Sequence, residues 1–193
     1  MKILITYALE AERGSWQMPG HELFFCRTGV GKVSAALHTY EAVLGLKPDL
    51  VLAVGSAGTL HHQVGDIVVC NHFIDRDLEK IAYLGVPCEL DFSAELVAFG
   101  LGVEMKGSVS TGDTFQTDRE ASTSGLHADV FDMEAYGSAQ ACKQLNIPFV
   151  AIKYITDVIG QNSLRHWEDK LEDAKAGLTA FLGNLKISVS NPT

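Results

Sequence analysis

Long apolar runs are missing from this sequence, and so is any concentration of positive charge. No stretch of its 193 residues approaches the ~20 apolar positions that a membrane-spanning helix requires, so no membrane role is expected. Lys and Arg number 15 against 24 Asp and Glu, a formal net charge of −9, and they are scattered along the chain. Without a basic stripe, binding to nucleic acid through phosphate neutralisation is not expected either. Proline is scarce, at 5 residues against 18 glycines, which points to tight turns and not to a stiff linker. The four cysteines, Cys26, Cys70, Cys88 and Cys142, form no CxxC pair. That removes the zinc-ribbon and thioredoxin signatures and leaves four reduced, mostly buried thiols in cytoplasm as the expectation. Met1 to Ile5 run directly into a strand-like segment with no cleavage site, so no signal peptide is expected. There is no internal repeat and no low-complexity segment.

What is present suits a folded α/β chain. Hydrophobic residues make up 47% and charged residues 20%, which excludes disorder of the whole. The length predicts one domain over residues 1–187, followed by a polar tail at 188–193. Apolar patterning predicts strands over 2–7, 22–27, 50–54, 66–70, 107–111, 130–133 and 147–155. Helices are predicted from about 32 to 45, 93 to 100, 134 to 145 and 164 to 185. In the first of these, Val33, Ala36, Leu37, Tyr40, Val43 and Leu44 mark a stripe at helical spacing. The polar stretch 71–91 reads as a loop. Alternating strands and helices indicate a largely parallel sheet, and ligands of such sheets bind beyond the carboxyl ends of strands. Here those ends carry Glu10 and Glu12, Ser56, Asp113 and Phe115, Glu134, and Asp157.

Each of these positions has a plain structural reading beside a functional one. Thr28-Gly29-Val30-Gly31-Lys32 has neither the Walker spacing nor the third glycine of a dinucleotide loop, so a tight strand-to-helix turn without phosphate is expected. Gly55-Ser56-Ala57-Gly58 is either a structural turn or a small-residue turn that lets a ligand approach the backbone. It is not the Gly-x-Ser-x-Gly elbow of a nucleophile. Glu134 is either a helix-start carboxylate or a ligand holder. Asp157 is either an N-cap or a carboxyl in an apolar pocket suited to general-acid work. His61, His62 and His72 lack the partners of a metal motif, and no metal is expected. Trp16 and Trp167 read as packing or rim residues.

Eight short stretches occur in collinear order: Ala8-Leu9-Glu10-Ala11-Glu12, Thr28 to Lys32, Lys47-Pro48-Asp49, Gly55 to Gly58, Val64 to Val69, Thr111-Gly112-Asp113-Thr114-Phe115, Asp132-Met133-Glu134-Ala135, and Ile147 through Asp157. Together they resemble the nucleoside phosphorylase/nucleosidase superfamily, most closely the 5′-methylthioadenosine/S-adenosylhomocysteine nucleosidases. The resemblance implies a three-layer α/β/α sandwich around a twisted mixed sheet, and no cofactor. It implies that Glu12 orients and deprotonates the attacking water and that Asp157 protonates or hydrogen-bonds the purine at its five-membered-ring nitrogen. Glu134, with Met133 beside it, would hold the ribose hydroxyls. Phe115 would stack on the base, and Ser56 would line the ribose and water side. Gln116 stands where those nucleosidases have an aliphatic residue; an amide near the base edge can change which purine is accepted. Asp132 stands in place of a Glu, and the 71–91 region is shortened.

The expected activity is hydrolysis of the N-glycosidic bond of a 5′-modified purine nucleoside, with methylthioadenosine and S-adenosylhomocysteine first. The alternatives are a futalosine or other specialised nucleosidase, a purine nucleoside phosphorylase, and a non-catalytic nucleoside-binding protein. A homodimer is expected from the resemblance and from closed two-fold assemblies being the commonest.

Overall fold

The computed structural model describes residues 1–100, 107–116, 127–161 and 163–187, so the predicted tail at 188–193 lies outside the described residues. Its strands are β1 (Lys2–Tyr7), β2 (Glu22–Arg27), β3 (Leu50–Thr59), β4 (Ile67–Asp75), β5 (Glu89–Asp91), β6 (Gly107–Thr111), β7 (Val130–Asp132) and β8 (Phe149–Val158). The helices are α1 (Lys32–Leu46), α2 (Arg76–Glu79), α3 (Ser93–Ala98), α4 (Ala135–Gln144) and α5 (Ser163–Asn184).

The strands form one mixed sheet. β1 pairs in parallel with β2 and β3, β3 with β8, β4 with β6, and β6 with β7. β4 runs antiparallel to β5 and β8, and β7 is antiparallel to β3 through the single pairing Gly58 to Phe131. The order β3, β8, β4, β6, β7 therefore returns to β3, and five of the eight strands close on themselves. The expectation of a largely parallel sheet gives way to this mixed ring.

Alternation along the central strands divides the core into two layers, as a period of two requires. Ile3, Ile5, Leu50, Leu52, Val150 and Ile152 pack toward Ala174, Leu178 and Leu182 of α5. Leu4, Val51, Ala53, Phe149, Ala151 and Ile155 pack on the other face with Val43 of α1 and with Ala135, Ala139 and Cys142 of α4. Three layers result. Cys70, Cys88 and Cys142 are buried and Cys26 is half-buried, all as free thiols.

Three local expectations are corrected. Gly55 to Gly58 are not a turn: β3 runs through them to Thr59, because pairing with β8 continues to that end. The 71–91 stretch is not a loop. β4 extends to Asp75, and its polar Asn71 is buried with its side-chain amide donating to Ser93 Oγ at 2.9 Å. Asp75 then caps α2 by accepting from the Asp77 and Leu78 amides, and β5 returns against β4. Finally, the large residues of the α1 stripe face outward, Val43 excepted. Val33, Leu37 and Leu44 are 70%, 60% and 52% exposed, and the buried side is Ala35, Thr39 and Val43. Small residues face α4 because the helices approach closely: a Cβ on Gly137 would run into the Lys32 carbonyl, and Thr39 Oγ1 lies 3.0 Å from Ser138 Oγ.

Arg76 joins the strand ends. It is buried, and Nη1 donates to the carbonyls of Ser110 at 2.7 Å and Asp132 at 2.9 Å. Nη2 donates to the carbonyls of Gly112 and Thr114. Gly112 admits this guanidinium, since a Cβ there would sit 2.6 Å from Arg76 Nε. Arg76→Met leaves these carbonyls short of a donor and should cost about 3 kcal/mol or more of stability, measured by urea unfolding; a loss under ~1 kcal/mol would contradict the role.

Candidate active site

The seven residues singled out in the sequence, Glu12, Ser56, Phe115, Gln116, Met133, Glu134 and Asp157, all line one cavity of about 160 Å³. It sits where β3, β7 and β8 converge. The short 3-10 turn Glu10–Glu12 closes one side and Trp167 of α5 another.

Glu12 is buried in that turn, directly after β1. Its Oε1 accepts from the Ser56 hydroxyl at 2.6 Å and from the Ser56 amide at 3.1 Å. Its Oε2 accepts from the Leu9 amide at 3.2 Å. Gly55 leaves it room: a Cβ there would lie 3.3 Å from Oε1. Asp157 is also buried, inside β8 and not at a helix start, so the N-cap reading fails. One extra residue, Thr156, enters β8 between the partners of Ala57 and Gly58, a bulge of the kind that re-aims side chains beside active sites. Thr156 Oγ1 donates to Asp157 Oδ1 at 2.9 Å. A Cβ on Gly58 would lie 2.9 Å from Asp157 Oδ2. The glycines of Gly55 to Gly58 thus make space for the two carboxylates at points three residues apart, roughly 10 Å along a strand.

Glu134 stands at the junction of β7 and α4. Gly31, with φ of 95°, donates its amide to Glu134 Oε1 at 3.0 Å, and Lys32 donates its amide to Asp113 Oδ1 at 2.8 Å. The amides of the glycine-rich turn are thus directed at the chain's own carboxylates. Burial and the neighbouring Asp132 charge raise the Glu134 pKa to about 7, against the opposing pull of Lys153.

Beneath the cavity Lys153 Nζ contacts Asp132 Oδ2 at 2.8 Å, both side chains almost fully buried. Burial alone would lower the ammonium's pKa; Asp132 and Glu134 outweigh it and the pKa is raised. Asp132 also accepts from Thr111 Oγ1 at 2.6 Å and from the Ala135 amide at 2.9 Å. Lys153 and Arg76 are not singled out by the sequence, and Trp167 reads there only as a packing or rim residue. Lys153 carried a signal, as the one charged residue of an apolar strand. Arg76 lay in the misread 71–91 stretch, and Trp167 in an ordinary amphipathic helix.

Arg13 is turned away from the cavity. Its guanidinium lies 4.5 Å from the Phe25 ring centroid and 3.8 Å from Glu10. Neither Arg13 nor Arg27 lines the cavity. His62 pairs with Asp129 and His72 with Glu89, each at 3.2 Å. Among the described residues no group of three His, Cys, Asp or Glu side chains could hold a metal ion.

A mixed sheet, partly closed into a ring, with four carboxylates around one cavity at its strand ends is the architecture of an α/β enzyme. The chain belongs to the phosphorylase superfamily, whose family model matches residues 7–184. Within that superfamily it is similar to the 5′-methylthioadenosine/S-adenosylhomocysteine nucleosidase of Bacillus cytotoxicus, at 33% identity over 184 residues covering 84% of this chain and 80% of the relative. The solved structure of such a nucleosidase from Colwellia psychrerythraea, in complex with adenine, superposes with a TM-score of 0.79 at 28% identity, covering 94% of this chain and 92% of that one. A futalosine hydrolase from Helicobacter pylori shares the fold, with a TM-score of 0.76 at 19% identity, covering 94% of this chain and 95% of that one.

The raised Glu134 pKa has a signed consequence for stability. The folded chain keeps this proton up to about pH 7, whereas an unfolded glutamate releases it near 4.3. Between these values the native state binds more protons, so this group's contribution to stability falls as pH rises. Relative to Glu134→Gln, the parent chain should lose roughly 2–3 kcal/mol between pH 4.5 and pH 8, read from urea unfolding of both proteins. A pH-independent difference would contradict the assignment.

Proposed function

We propose that this chain is a purine nucleosidase that hydrolyses the N-glycosidic bond of a 5′-modified nucleoside, with methylthioadenosine and S-adenosylhomocysteine as the first substrates to test. The observation that carries the reading is that Glu12, close to β3 at Gly55, and Asp157, close to it at Gly58, line one cavity together with Glu134.

Cleavage of this bond develops positive charge on the ribose and negative charge on the departing base. It calls for an acid at the base, a base for water, and anionic surroundings for the sugar, as glycoside hydrolysis does with two carboxyl groups. Asp157 is assigned as the acid that protonates the five-membered ring of the purine. Glu12, held by Ser56 and Leu9, takes a proton from the attacking water. Glu134 accepts the ribose hydroxyls, with Met133 packed beside the sugar. Phe115 stacks on the base, and the Gln116 amide faces the base edge and selects among purines.

The same surroundings favour water over phosphate. A dianion beneath the sugar would meet Glu12, and one like-charge contact at ~4 Å costs about 4 kcal/mol at an effective dielectric near 20. Arg13 is engaged with Phe25 and Glu10, and the Arg76 guanidinium is occupied by backbone carbonyls.

The chain is further proposed to act as a homodimer. Val33, Leu37, Tyr40 and Leu44 form an exposed apolar line along α1, and Val30, at its start, is exposed and also lines the cavity. Ile81, Tyr83 and Leu84 expose further apolar surface. A stripe of this kind marks a contact surface. A cytoplasmic location is proposed on the four free thiols, which such a compartment keeps reduced.

A panel of purine nucleosides tests the activity. Free base should appear from 5′-modified substrates, and Asp157→Asn should lower turnover at least ~100-fold with folding intact. No base release from any nucleoside, or near-normal turnover by Asp157→Asn, would refute the reading. For assembly, sedimentation at micromolar concentration should give a dimer that Leu37→Glu converts to monomer; a parent chain that is monomeric there rejects the dimer.

A further inference from the structure

The general base of the proposed reaction is the end of a chain of hydrogen bonds that begins on α5. Trp167 Nε1 lies 2.8 Å from Ser56 Oγ, and Ser56 Oγ lies 2.6 Å from Glu12 Oε1. The direction of this chain is fixed by chemistry. An indole nitrogen only donates, so it fills a lone pair of the serine oxygen. An ionised carboxylate only accepts, so the serine proton points to Glu12. Each group can act in one way, and the three lock together.

The rest of the Glu12 environment makes this link matter. The Ser56 amide holds Oε1 and the Leu9 amide holds Oε2, but both are backbone groups. The Ser56 hydroxyl can rotate and, without the indole, is free to turn toward water or substrate in the cavity. Trp167 also closes the wall beside Glu12, so the group that orients the serine also limits solvent around it. Trp167 further ties α5 to β3 and to the turn after β1, which are distant in sequence. The same contact argues against Ser56 as a nucleophile, because one of its lone pairs is already taken by the indole.

We propose that Trp167 is a positioning residue, fixing the Glu12 carboxylate through the Ser56 hydroxyl in the orientation that takes a proton from the attacking water. The proposal rests on the nucleosidase reading above, and Trp167 acts through Ser56 and not on the substrate's bond.

Two measurements test it. Trp167→Phe keeps a ring in the wall and removes only the donor. It should lower kcat about tenfold, the effect of one lost hydrogen bond, with KM changed less than about threefold. Ser56→Ala removes the same link, so adding Trp167→Phe to Ser56→Ala should have no further effect on kcat, the non-additivity expected of residues in one network. Independently of turnover, the chain has two indole N–H groups, Trp16 and Trp167. In a nitrogen-15 spectrum, Ser56→Ala should shift the Trp167 indole resonance and leave that of Trp16 in place. Effects of Trp167→Phe and Ser56→Ala that multiply, a change confined to KM, or an indole resonance indifferent to Ser56→Ala would each overturn the proposal. Normal base release by the parent chain with any of these results overturns this proposal alone. A parent chain that releases no base overturns the nucleosidase reading and this proposal with it.

Discussion

Crowding of negative charge is the constraint around which the site is built. Glu12, Asp132, Glu134 and Asp157 line one cavity, and the buried Lys153 ammonium, 2.8 Å from Asp132, is the counter-charge to Asp132, Glu134 and Glu12. A buried ion pair is seldom a net source of stability, because desolvation offsets the attraction. Its value lies in what it permits. Asp132 is held by Lys153, Thr111 and the start of α4, so Glu134, two residues along, is presented to the cavity. Burial, with the Asp132 charge beside it, in turn raises the Glu134 pKa to about 7. An anionic cavity of this kind suits a reaction whose transition state puts positive charge on a sugar.

Making room for these groups shapes the backbone. Gly55 and Gly58 let Glu12 and Asp157 approach β3, and Gly112 admits Arg76. The bulge at Thr156 turns the end of β8. The closure of β3, β8, β4, β6 and β7 into a ring carries β3, β7 and β8 to one place. Residues separated by more than a hundred positions thereby share a cavity, with few side chains larger than serine on the β3 wall.

Much of this was legible in the chain before any coordinates. Strands 2–7, 22–27 and 107–111 are where apolar runs and alternation put them. The seven candidate residues lie together because each sits near or beyond the carboxyl end of a strand. Other features were hidden for physical reasons. Gly55 to Gly58 looked like a turn because small residues mark turns, whereas here they make space inside a strand. Asn71 and His72 interrupted the apolar pattern of β4, although Asn71 is buried by its bond to Ser93. Most of the α1 stripe points outward, because periodicity reports amphipathicity but not which face has a partner within the chain. Sequence spacing likewise gave no means of pairing Trp167 with Ser56 across 111 positions.

The claim on which this account stands is that water, and not phosphate, attacks the sugar. Its most direct test is the identity of the sugar product when a 5′-modified purine nucleoside is turned over in excess inorganic phosphate. The account predicts a free pentose derivative, with a rate indifferent to phosphate concentration. A sugar 1-phosphate, formed at a rate that rises with phosphate, would contradict it.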